Sequence, residues 1–209
     1  MKYIKIVNGI IANNTYLLYN DSPDCLLIDP SIDYELIDKN IIDSGLNVIG
    51  ILLTHAHYDH IYSVDYFVDK YDCVVYCDNN AIEYLKNPNL NLSAISNNAP
   101  NKVAIKSVAK PTMNKFKIGN FEIECVKTYG HTKACVTYLI DEFAFTGDFI
   151  FKETIGRTDF FDSSMEMMIR SLKNFSKIKK NYFILPGHGA ETTLKEELRN
   201  NKFLIKYGE

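Results

Sequence analysis

The feature that most constrains this chain is the stretch Thr54-His55-Ala56-His57-Tyr58-Asp59-His60, which comes directly after the apolar run Gly50-Ile51-Leu52-Leu53. An unbroken apolar run of this kind reads as a strand buried on both faces, so the polar stretch begins where that strand leaves its sheet. On an extended chain, residues two apart point to the same side. His55 and His57 can therefore grip one metal ion together. Asp59 lies two residues further on, and the chain is expected to turn there into a helix opening at Ile61. That turn directs Asp59 and His60 towards a neighbouring position. Imidazole nitrogens and carboxylate oxygens suit zinc, and also iron or manganese. The chain has five histidines in all, and three of them fall within these few residues.

The other two stand in Gly130-His131-Thr132 and in Pro186-Gly187-His188-Gly189. Each follows a glycine at the end of a β-rich run, where loops carry function on a rigid scaffold. Asp148, in Phe145-Thr146-Gly147-Asp148, again marks the exit of a short apolar strand. A carboxylate has two oxygens, so one aspartate can touch two ions. Counting a shared solvent, Asp148 completes four-ligand sets around two ions.

A chain of 209 residues with 46% hydrophobic residues can bury a proper core, and 23% charged residues argue against disorder. No linker, repeat or low-complexity block interrupts it, so residues 1–209 are read as one unit. A net charge of -3 gives no electrostatic case for nucleic acid or an acidic membrane. No apolar run is long enough to span a bilayer. Met1–Gly9 alternates like a first strand and lacks the apolar stretch of a signal peptide, so the cytoplasm or an equivalent compartment is expected. Cys25, Cys73, Cys77, Cys125 and Cys135 include no CxxC pair and sit in apolar runs, so they are expected to be buried free thiols.

Strands are expected over Tyr3–Val7, Thr15–Tyr19, Cys25–Asp29, Val48–Thr54, Val74–Tyr76, Ala104–Val108, Phe121–Thr128, Val136–Ile140, Phe143–Phe145 and Tyr182–Leu185. Helical periodicity appears over Tyr34–Ser44, Ile61–Lys70, Ala81–Lys86, Ser164–Asn174 and Leu194–Asn200. Ser163 or Ser164, and Thr192 or Thr193, are placed to cap the last two. Asn87–Lys102 reads as a long surface loop. Early hairpins followed by strand–helix alternation predict α/β layers, but periodicity does not separate a two-sheet sandwich from a single mixed sheet.

Taken in order, HxHxDH, Gly-His-Thr, Thr-Gly-Asp and Pro-Gly-His-Gly resemble the metallo-β-lactamase superfamily, from Thr54 to the C-terminus. The resemblance implies a four-layered αββα sandwich with metals at one edge, between the two sheets. It also implies that His55, His57 and His131 hold a first metal and Asp59, His60 and His188 a second, with Asp148 bridging. The best-known zinc β-lactamases carry Cys where this chain has Asp148, so the superfamily name is not the activity. Gly156-Arg157-Thr158-Asp159-Phe160 and the C-terminal Pro-Gly-His-Gly region look like glyoxalase II and its shorter relatives, hydroxyacylglutathione hydrolases. There a metal hydroxide attacks a thioester such as S-lactoylglutathione.

By that likeness the chain would bind two divalent ions, zinc before iron or manganese. Asp59 would aim the nucleophile, and the substrate would be a small-molecule thioester. Arg157 is the candidate substrate contact, unless it pairs with Asp159 or Asp162, and Tyr58 either lines the pocket mouth or simply packs. The chain departs from the pattern at Tyr62, Lys133 and Phe161. It also shows no counterpart of the helical glutathione-binding domain. His131-Thr132-Lys133-Ala134-Cys135 feeds a rival likeness to persulfide dioxygenases, which use one iron on the same fold.

Overall fold

The apolar runs become strands that bury residues on both faces, and this two-sided burial builds the layers. The computed structural model describes residues 1–208; Glu209, the last residue of the unit expected over 1–209, lies outside them. The first half contains strands β1 (Lys2–Asn8), β2 (Asn13–Tyr19) and β3 (Asp24–Ile28), helix α1 (Tyr34–Asp43), strand β4 (Asn47–Leu52) and helices α2 (Tyr58–Ile61) and α3 (Val64–Tyr71). Strand β5 (Val74–Cys77), helix α4 (Ala81–Lys86) and strand β6 (Ala109–Pro111) complete it. The second half runs through β7 (Lys115–Ile118), β8 (Phe121–Lys127), β9 (Val136–Ile140), β10 (Phe143–Gly147), β11 (Ile150–Phe151) and β12 (Thr154–Ile155). It ends with α5 (Met165–Phe175), β13 (Phe183–Pro186), β14 (Thr192–Thr193), α6 (Leu194–Asn200) and α7 (Lys202–Tyr207).

Twelve strands form two six-stranded sheets, ordered β1-β2-β3-β4-β5-β6 and β14-β13-β10-β9-β8-β7, and β11 and β12 pair as a separate two-stranded ribbon. In the first, β1 to β3 are antiparallel hairpins, and β3 to β6 pair in parallel. Parallel neighbours need crossover connections, which bring helices onto a sheet face. Register then sorts the side chains of β2: Leu17 points to a core shared with Ile37, Ile41 and Phe67 of the helices. Its neighbours Tyr16 and Leu18 point the other way, into a core between the sheets with Ile123, Tyr138, Phe145 and Leu185. A third core packs Leu139, Ala144 and Ile184 of the second sheet against Met168, Leu172, Phe175 and Leu204 of the helices. Three cores between four layers make the αββα sandwich.

The sequence reading needs three corrections. The strand expected over Ala104–Val108 does not form. There the Asp65 carboxylate accepts from the Lys106 and Ser107 amides at 2.9–3.1 Å, taking donors a ladder would use, and pairing begins only at Ala109. The helix expected over Ile61–Lys70 is two helices. Ser63 donates its amide to the Pro30 carbonyl at 3.1 Å and its hydroxyl to the Ser31 carbonyl, which pulls the chain out of helical register. In consequence Asp59 and His60 lie within α2 rather than ahead of a helix starting at Ile61. Strands β6, β7, β11, β12 and β14 and helix α7 were not anticipated. Asn201 opens α7, its side chain accepting from the Phe203 amide at 3.0 Å. The caps fall as expected at Ser164 and at Thr193, which forms a capping box with Glu196.

All five cysteines are free and buried. Burial pushes the thiols of Cys25, Cys77 and Cys135 up to about 12, and those of Cys73 and Cys125 to about 11. Since the thiolate is the reactive form, the folded protein at pH 8 should leave all five unmodified by a maleimide over an hour. Unfolding in guanidinium should release five. Stoichiometric labelling of any of them in the folded state would contradict this burial.

Candidate metal centre

Strand β4 ends at Leu52, and the chain beyond it is held by a residue at the end of the neighbouring strand. Asp29 accepts the Thr54 amide on Oδ1 at 2.8 Å and the Thr54 hydroxyl on Oδ2 at 2.6 Å. The same Oδ2 lies 2.9 Å from His60 Nδ1. One buried carboxylate thus fixes both ends of the histidine stretch. Asp29 itself has φ of +52°, a left-handed conformation that Asp tolerates better than most side chains.

Two further rings, those of His131 and His188, are oriented by main-chain carbonyls. His131 donates through Nδ1 to the Arg157 carbonyl at 2.9 Å, and His188 through Nδ1 to the Ile11 carbonyl at 3.1 Å. Each bond fixes a tautomer in which Nε2 is left as a lone pair facing the site. Glycine makes room around the central carboxylate. A Cβ on Gly187 would stand 2.3 Å from Asp148 Oδ1 and 2.6 Å from His60 Cε1.

The structure brings all seven sequence-predicted residues together as three overlapping groups. His55, His57 and His131 offer ligand atoms within 4.8 Å of one another; so do His55, His60 and Asp148, and so do Asp59, His60 and His188. Asp148 reaches both ends: Oδ1 is 3.4 Å from His60 Nε2, while Oδ2 is 3.5 Å from His131 Nε2 and 3.7 Å from His188 Nε2. Asp59 Oδ2 lies 3.2 Å from His188 Nε2 and 3.4 Å from His60 Nε2. His57 Nδ1 and His131 Nε2 converge to 3.0 Å.

Two observations test whether these residues fit a metal. First, His55 Nε2, His60 Nε2 and Asp148 Oδ1 are buried with no hydrogen-bond partner among the described residues. Buried polar atoms are nearly always satisfied, and leaving one unpaired costs about 1–3 kcal/mol. A cluster of such orphans on nitrogen and carboxylate oxygen is what ion coordination would satisfy. Second, the charge states suit ligation. Burial, reinforced by the neighbouring histidines, holds His55 well below the usual imidazole range and His57 down to about 3, so both keep neutral lone pairs. Burial disfavours charge on Asp148 and Asp59 too, but the surrounding histidines outweigh it and keep both carboxylates ionised. The same opposition runs in reverse at His60 and His188, which the carboxylates raise, so there a divalent ion would take the place of a proton. The residues present fit divalent ions.

A cavity of about 610 Å³ opens onto this cluster, with Asp59, His131, Asp148 and His188 in its wall. Tyr58 lines it, its hydroxyl oxygen accepting from Ser96 at 3.2 Å. Arg157 lines it as well, but its guanidinium is held by Asp159 in two bonds of 2.7 and 2.8 Å. Asp162, the other partner considered for Arg157, is instead buried and accepts from the Tyr84 hydroxyl. Sequence reasoning missed Asp29. Its only trace there is an acidic residue at the end of an apolar run, followed by Pro30.

The comparisons with known proteins agree with this fold. The model of the Metallo-beta-lactamase superfamily matches residues 9–188. A probable metallo-hydrolase of Streptococcus pyogenes serotype M6 is 36% identical, over 97% of this chain and 90% of its own. The hydroxyacylglutathione hydrolase GloC of Haemophilus influenzae is 29% identical over 91% of this chain and 92% of its own. Among solved structures, the BLEG-1 B3 metallo-beta-lactamase superposes with a TM-score of 0.92 at 30% identity, covering 97% of this chain and 99% of that one. TTHA1623, solved in a di-iron-bound form, gives 0.83 at 28% identity, covering 96% and 99%. A family match across most of the length, reinforced by near-complete overlap with these proteins, means that the chain belongs to the metallo-β-lactamase superfamily.

Proposed function

We propose that this protein is a metal-dependent hydrolase that cleaves a thioester or a similarly activated acyl compound, using two divalent ions. The observation that carries this reading is the set of orphaned buried atoms on His55, His60 and Asp148, in a cluster large enough for two ligand groups. Bound there, a pair of divalent ions would supply a water acidified towards about pH 7 and a Lewis-acidic seat for the substrate carbonyl oxygen. Asp59, in the cavity wall, accepts a hydrogen bond from the attacking water and aims it. Asp148, between the two groups, holds them in fixed relation. Tyr58 and Arg157 lie along the wall where the acyl compound would rest. A thiolate leaves without a strong general acid, so no further proton donor is required on that side. The likeness to GloC supports a thioester in particular. Zinc suits the nitrogen-rich donor set, and iron or manganese would serve the same geometry.

The rival reading, a mononuclear iron dioxygenase, uses only part of this donor set. A metal count tests the choice. Protein purified without added metal should carry about two divalent ions per chain. It should hydrolyse S-lactoylglutathione or a simpler acyl thioester, and lose that activity when stripped by a chelator. One iron per chain with oxygen uptake on a persulfide would overturn the proposal.

A further inference from the structure

We infer that the cavity above the metal centre takes an apolar acyl arm and makes no ionic demand on the thiol carrier, an inference that rests on the thioesterase reading and narrows it. Beyond the histidines and aspartates, Ile11, Leu92, Ile95, Phe151, Ile155 and Phe160 make the apolar part of the wall, with Ser96, Asn98 and Thr154 as its neutral polar members. They come from four separate segments of the chain, so no single loop accounts for the apolar character. Glutathione presents two carboxylates and an ammonium, and a site that selects it needs fixed cations. Among the described residues no lysine lines this cavity, and Arg157 is the one permanent cation that does. Both Nε and Nη2 of Arg157 are already occupied by Asp159, and its guanidinium lies 4.3 Å over the ring of Phe160. A carboxylate arriving from a substrate would have to displace that bidentate pair.

The surroundings of the cavity point the same way. Ile95 is 67% exposed, and Ile10 and Phe161, each one residue from a lining residue, are 80% and 69% exposed. Large apolar side chains left in water on three lining segments would gain by covering an aliphatic or aromatic group. Leu92, on the same loop as Ile95, is held with φ of +67°. That loop is pinned from below: Asn91 donates to the Tyr84 and Val103 carbonyls at 3.1 and 2.9 Å and accepts from the Tyr58 amide through its own carbonyl at 2.9 Å. The apolar wall is therefore built on fixed supports.

The test uses the metal-loaded protein and two ligand series that cannot be hydrolysed: S-methyl, S-butyl and S-hexyl thioethers of N-acetylcysteamine, and the same alkyl groups on glutathione. Dissociation constants are measured by calorimetry. Each methylene that enters the wall should tighten binding about twofold to fourfold, so that S-hexyl binds at least about 30-fold more tightly than S-methyl. Glutathione should add nothing at equal alkyl length. Ile95→Asp, at an exposed position where folding is insensitive, should reduce the hexyl-to-methyl ratio. Equal affinity across the alkyl series, or a glutathione thioether tenfold tighter than its N-acetylcysteamine counterpart, overturns the inference. Turnover of hexanoyl-N-acetylcysteamine and S-lactoylglutathione is followed in parallel. If neither is hydrolysed while the affinity series holds, the hydrolase reading fails instead.

Discussion

Asp59→Ala is expected to lower thioester turnover by at least about 100-fold, the usual consequence of removing a group that positions or activates the attacking water. Two separate losses combine at this position. Asp59 belongs to the ligand group it forms with His60 and His188, so the variant should bind close to one ion per chain where the parent binds two. Its carboxylate also lies 3.2 Å from His188 Nε2 and 3.4 Å from His60 Nε2, and without it those rings lose an anionic neighbour. Asp59→Asn separates the effects, since it keeps the shape and one acceptor oxygen while removing the charge. If charge at this point is what matters, Asn should fall nearly as far as Ala. Circular dichroism should be unchanged in both, because Asp59 sits at the floor of a cavity and makes no contribution to the three apolar cores. A variant at wild-type rate with two ions bound would end the role assigned to Asp59.

The candidate ligand cluster was legible because its residues leave a dense local signal. His55, His57, Asp59 and His60 sit in one stretch, and His131, Asp148 and His188 each follow a glycine or a strand end. The layering was less visible, because a run such as Leu26-Leu27-Ile28 looks the same whether one sheet or two flank it. Only register shows Leu27 facing the helices and Leu26 and Ile28 facing the second sheet. The failed strand at Ala104–Val108 shows the limit of propensity: an Asp65 carboxylate distant in sequence captured the amides that pairing would have used. Helix α7 was missed for a different reason. Lys202–Tyr207 is too short for periodicity to register, and it holds because Leu204 docks in the third core and Asn201 caps it. In the strand and in the layering the deciding contact is long-range, and no window along the chain contains both partners.

Asp29→Asn is expected to weaken metal binding by about 10-fold to 100-fold, the range observed when a group that orients a ligating histidine is removed. Asparagine is the informative replacement. At φ of +52° an alanine would add backbone strain, whereas asparagine visits this region readily and keeps the fold comparison clean. The amide has one oxygen where the carboxylate has two. If that oxygen faces the Thr54 amide, its NH2 group points at His60 Nδ1 and the Thr54 hydroxyl, where Asp29 Oδ2 now accepts at 2.9 and 2.6 Å. Two N–H donors then confront each other, and His60 loses the bond that fixes its tautomer. If the amide turns the other way, its NH2 group opposes the Thr54 amide, now bonded to Oδ1 at 2.8 Å, and the start of the histidine stretch loosens. Either arrangement damages the site without emptying a core. Zinc affinity measured by competition with a chelator should therefore fall while the metal-free protein keeps its melting temperature to within a few degrees. Affinity within twofold of the parent would show that the metal centre does not depend on this carboxylate. A collapse of the metal-free protein would show that Asp29 serves the fold first and the site only through it.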